Sequence, residues 1–134
     1  MGVSLQNKDY CMDMGYITFF NLRKTIAYLY SQTFGDAYVD FVHNDISEDE
    51  MNSIICNLFR ENVFNEEDNT ALDFLFKSDC AGKISYRDCR RLLKVIGEYT
   101  DNYMYGYVQS NHTFDYFKDM LKDCVLKRRN LYWD

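Results

Sequence analysis

Not one proline occurs in the 134 residues of this chain. Proline interrupts a helix by removing an N–H donor and clashing with the preceding turn. Its absence leaves every stretch free to be helical, and the apolar spacing uses that freedom. Phe19, Leu22, Ile26 and Leu29 recur three and four apart and predict one buried helical stripe. Ser47, followed by Glu48, Asp49 and Glu50, predicts a helix start. The serine can cap, Glu50 lies three residues on, and acids suit the positive end of a helix. That helix carries Met51, Ile54, Ile55, Leu58 and Phe59.

The second half repeats the rhythm. Leu72, Leu75 and Phe76 mark a helix face, and residues 77–83 form a break centred on Gly82. Ile84 and Ser85 follow, β-like, and then a helix with Cys89, Leu92, Leu93 and Ile96, which Gly97 is placed to stop. From Thr100 to about Val108 the alternating tyrosines Tyr99, Tyr103, Tyr105 and Tyr107 fit a strand, but a helix capped by Thr100 is preferred, with a tyrosine surface suited to an interface. The last helix carries Phe117, Met120, Leu121, Cys124 and Val125. The polar stretch 60–69 reads as a connector. The chain is therefore divided into an N-terminal lobe (1–61), a connector (62–69), a C-terminal lobe (70–126) and a basic-aromatic tail (127–134). In the tail, Lys127, Arg128 and Arg129 read as a solvated end, with Trp133 an anchor on a partner or on the C-terminal lobe.

Apolar residues make up 47% of the chain and aromatics 17%, enough for a packed core, which excludes general disorder. No apolar run approaches the roughly 20 residues of a membrane helix, and the first fifteen residues lack the pattern of a secretory signal. The net charge of −6 argues against nucleic acid; it suits a basic peptide or helix as partner, and equally serves solubility alone. The five cysteines have no CxxC spacing and read as reduced thiols, with Cys56 and Cys89 as small apolar residues within helices. His43 and His112 are too isolated for a zinc site. No spacing assembles a nucleophile, a base and oxyanion donors, and no phosphate loop occurs, so an enzyme is not expected. Neither cofactor nor membrane partner is expected.

Helix, glycine-centred loop, short strand and helix is the layout of an EF-hand. The segment from Leu75 to Gly97 resembles an EF-hand of the calmodulin and myosin-light-chain family, with Gly82 at loop position six and Ile84 at position eight. The segment around Gly15 and Ile17 has the same form. Segments near Asp45–Met51 and Asn111–Phe117 resemble hands with shortened loops. The resemblance implies an all-α fold: two calmodulin-like lobes of paired degenerate EF-hands. Calcium binding is not expected. The best loop places Lys77 at position one and Ala81 at position five, and the Gly15 loop has no carboxylate at the positions that normally ligate.

The chain resembles the essential-type light chains of myosins, particularly the divergent ones of unconventional myosins in protozoa. That resemblance implies a non-enzymatic, cytoplasmic, cytoskeleton-associated subunit, which binds and stiffens an IQ-type neck helix of an unconventional myosin heavy chain without calcium. Phe76, Leu92, Leu93, Ile96, Met104, Phe117, Met120 and Leu121 are the expected groove positions, many of which could equally be lobe core. Two alternatives stand beside it. One is a calmodulin-like or centrin-like adaptor for another cytoskeletal or signalling helix. The other is an unrelated small helical inhibitor that binds a helix.

Overall fold

The two ends of the chain meet in a sheet. The computed structural model describes residues 2–100 and 113–134. Strand β1 (Val3–Gln6) turns back into β2 (Cys11–Met14). The Asn7 side-chain oxygen holds that turn, accepting the backbone N–H groups of Asp9 and Tyr10 at 2.9 and 2.8 Å. Helices α1 (Tyr16–Tyr30), α2 (Gln32–Val42) and α3 (Glu48–Arg60) follow, then the short α4 (Asp68–Ala71) and α5 (Asp73–Phe76). Strand β3 (Gly82–Ile84), α6 (Tyr86–Ile96), α7 (Thr113–Lys127) and β4 (Leu131–Trp133) complete the described chain. The strands lie in the order β2-β1-β4-β3, every neighbouring pair antiparallel.

This sheet overturns the all-α expectation: the fold mixes helices with a four-stranded antiparallel sheet. Strands of three and four residues are too short for alternation to stand out against helical spacing. The basic-aromatic tail supplies β4, an inner strand whose Leu131 and Trp133 are buried while Tyr132 faces out. The basic residues before it are engaged too, since Lys127 and Arg129 both pair with Asp9.

The sheet also removes the EF-hand reading of Gly15. The residues before this glycine belong to the β1–β2 hairpin, and Gly15 is the N-cap of α1. Ile17, expected in a strand, lies in the first turn of α1 and is 75% exposed. Around Gly82 the helix–strand–helix order holds, yet β3 pairs with the C-terminal β4. Paired hands would join loop to loop. Ser85 caps α6, and Asp88 closes the box by accepting the Ser85 backbone N–H at 3.1 Å.

One apolar cluster runs through the described residues from Val3 to Trp133. Its largest side chains are aromatic: Phe19, Phe34, Phe64, Phe74, Phe114, Phe117, Tyr38 and Trp133. Each such ring contributes on the order of 1.5–3 kcal/mol by leaving water. The stripe Phe19, Leu22 and Ile26 is buried as its spacing requires, and so are Met51 and Leu58 on α3. Ser47 caps α3 by accepting the Glu50 N–H at 3.1 Å. The expected helix from Thr100 to Val108 lies outside the described residues beyond its first position. So do Met104, Tyr103, Tyr105, Tyr107 and His112.

Candidate functional site

Helices α1 and α2 are joined by one residue, Ser31, whose backbone N–H bonds to Ala27 O at the end of α1. Its hydroxyl caps α2 by accepting the Phe34 N–H at 3.0 Å. Gly35 then lets the helices approach closely, because a Cβ there would lie 2.1 Å from the Tyr28 ring. At the far end of this pair opens a cleft of about 440 Å³. Tyr16, Phe19, Phe20 and Arg23 line it from one face of α1, their spacing matching the helix repeat. Tyr38, Phe41 and Val42 line it from the last turns of α2, and Leu75 to Asp79 from the end of α5 and the segment after it.

The walls are aromatic and fixed by one another. Phe20 stacks on Tyr38, with ring centres 6.4 Å apart and planes at 13°. Phe76 meets Tyr38 at 5.6 Å and Phe41 at 5.9 Å, both edge to face. The Tyr38 hydroxyl donates to Leu75 O at 2.8 Å and so ties α2 to α5. Burial pushes this phenol up to about 12. Tyr16, Ile17 and Val42 extend the apolar lining outward as exposed side chains. A contiguous exposed apolar surface at a concave site is the usual mark of a binding surface.

Arg23 is the cleft's buried charge, only 7% exposed. Its guanidinium carbon lies 4.1 Å from the centre of the Phe19 ring and 5.8 Å from those of Phe74 and Trp133. Nη2 donates to Lys77 O at 2.8 Å. Nε is buried without a partner. Desolvation pulls the guanidinium pKa below its ordinary value, and Tyr38 and Asp79 work against that shift. At the rim, Lys77 is exposed and Asp79 half-buried. The segment itself is braced, since Ser78 Oγ accepts the Cys80 N–H at 3.0 Å and Ser78 O accepts the Trp133 indole N–H at 2.8 Å.

The expected groove positions fall differently. Leu92, Phe117, Met120 and Leu121 are fully buried in the core, and Ile96 is buried beside them. α6 and α7 pack these five toward the core. Leu93 is partly buried against the same core. Phe76 alone among them lines the cleft, and Met104 lies outside the described residues. Apart from Phe19, the cleft's α1 and α2 residues carry no reading from the sequence. Tyr16, Phe20 and Arg23 form a second row beside the Phe19 stripe, and Phe34, Tyr38 and Phe41 recur at helical spacing in a segment interrupted by Gly35.

Two buried polar clusters lie outside the cleft. Asp68, fully buried at the start of α4, receives Arg91 through two bonds of 2.9 Å, Tyr30 at 2.6 Å and the Asn65 N–H at 2.9 Å. All its partners come from this chain, so it is a structural tie. Cys89 and Cys124 face each other between α6 and α7, and contact with Cys124 together with burial raises the Cys89 thiol pKa. Among the described residues no three His, Cys, Asp or Glu side chains are grouped to hold a metal ion. None of their helices is long and apolar enough to cross a membrane. No protein-family model, curated protein or solved structure matches the chain.

Proposed function

We propose that the protein is a non-catalytic binding module that holds an apolar segment of a partner protein in the cleft between α1, α2 and residues 75–79. The observation that carries this reading is the continuity of the cleft's aromatic walls with exposed Tyr16, Ile17 and Val42 at its mouth. A partner side chain seated among Phe20, Phe41 and Phe76 would be covered by that rim, the arrangement in which a buried anchor contributes most to binding. The braced walls keep the site preformed, which lowers the ordering cost of association. Ser78 Oγ, in the cleft lining, accepts the Cys80 N–H at 3.0 Å. Binding of a myosin neck helix drew its support from EF-hand lobes, and the sheet takes that support away. Non-catalytic engagement of a partner's chain is the part of the expectation that the cleft supports.

The test selects peptides from a random displayed library on the folded protein. It then compares their binding with that of Ile17→Asp and Val42→Asp, both exposed positions that tolerate charge. Selected peptides rich in apolar anchors should lose affinity at least tenfold on both variants. Peptides that bind the variants as tightly as the parent would overturn the proposal.

A further inference from the structure

We propose that the cleft receives the C-terminal end of a partner chain, with the last side chain among Phe20, Phe41 and Phe76 and the α-carboxylate on the Arg23 guanidinium. This rests on the reading of the cleft as a partner-binding site and names the chemistry of the occupant. A buried guanidinium is costly unless its donors are paired and its charge is met. Arg23 is more than nine-tenths buried, lines the cleft and pairs Nη2 with a neutral carbonyl. Its Nε has no partner, and no carboxylate among the described residues forms an ion pair with it. An incoming carboxylate in the cleft would bring the guanidinium a full negative charge, which Asp79 only partly provides without forming an ion pair, in the fork geometry that guanidinium groups favour.

Three features point to a chain end as the source of that carboxylate. The cation and the apolar wall share one cleft of about 440 Å³, and a terminal residue carries its carboxylate and its side chain on the same Cα. The rings of Phe19, Phe74 and Trp133 stand 4.1, 5.8 and 5.8 Å from the guanidinium carbon, so Arg23 is backed by aromatic core on the side away from the cleft mouth. Lys77 at the rim adds a second positive charge, against the single carboxylate of Asp79. The charged residues of the cleft lining are thus net positive on a chain of net charge −6, which favours an anion there.

The experiment titrates ¹⁵N-labelled protein with N-acetyl-Leu-Phe and, separately, with its C-terminal amide, following the amides of residues 16–23, 38–42 and 75–79. The free acid should bind about tenfold tighter than the amide, as expected for one charge-assisted pair. Arg23→Gln should erase the difference, with circular dichroism confirming that the variant is folded. Asp79→Asn, at a half-buried site, should strengthen the acid alone and so does not depend on Arg23 tolerating change. Equal binding of acid and amide in the cleft would overturn the carboxylate proposal and leave the binding module standing. Failure of both to perturb the cleft, at concentrations that saturate a selected peptide's site elsewhere, would overturn both.

Discussion

The indole N–H of Trp133 donates to the backbone carbonyl of Ser78 at 2.8 Å, across 55 residues of chain. Through it the second residue from the C-terminus fixes the segment that forms one wall of the cleft. Gly82 lies against the same ring, where a Cβ would sit 2.1 Å from Trp133 Cζ2. Trp133→Phe keeps most of the ring and strands the Ser78 carbonyl. It should cost about 1–3 kcal/mol in urea unfolding. Gly82→Ala forces the indole or the strand to move and should also destabilise. Unchanged midpoints for both would show that the wall does not depend on this contact.

Asp68 is the most heavily bonded buried side chain among the described residues, and its partners reach it from α1 and α6. Asp68→Asn keeps the volume but removes the charge that meets Arg91. Loss of one member of a buried pair costs about 3–5 kcal/mol. That loss should appear as an earlier urea midpoint with an unchanged m-value. A change under 1 kcal/mol would mean that Arg91, itself partly exposed, turns to water instead.

Alkaline pH should weaken the fold through Tyr38. Its phenol titrates near 10.0 when unfolded and is pushed up to about 12 when folded, mainly by burial. Between these values the unfolded chain loses a proton that the folded chain keeps. The stability contribution is whole below pH 10 and is lost as pH rises toward 12, by about 1.4 kcal/mol per pH unit. Urea unfolding at pH 8, 10 and 11.5 measures it. Tyr38→Phe should start lower, having lost the bond to Leu75, but should decline less steeply above pH 10.

The cysteines divide by accessibility. Cys11, Cys56 and Cys80 are exposed, whereas Cys89 and Cys124 are buried. A disulfide-exchange reagent at pH 8 should titrate three thiols quickly and the other two only on unfolding. Rapid reaction of all five would contradict the packing of α6 against α7.

Several helices could be read directly from the chain because their signals are local. Ser47 and Glu50 announce α3 within four residues, and Gly97 ends α6 with a φ of 55°. The stripe Phe19, Leu22, Ile26 is periodic over two turns and is buried as read. The sheet was not legible in the same way. Pairing of Leu5 with Trp133 joins residues at opposite ends of the chain, and no local pattern encodes such a partner. The same non-locality hid the cleft. Arg23 looks like an ordinary helix-surface residue in sequence, and its burial follows from Phe74 and Trp133, which arrive from elsewhere. Leu92, Phe117, Met120 and Leu121 were rightly read as apolar faces, but apolar spacing alone does not say whether a face meets core or partner.

Chemical-shift mapping of a library-selected peptide on the ¹⁵N-labelled protein tests the binding cleft most directly. Perturbations should concentrate at residues 16–23, 38–42 and 75–79, and should vanish on Ile17→Asp. Perturbations centred instead on the exposed face of α3, or unaffected by Ile17→Asp, would contradict a binding site between α1, α2 and the segment after α5.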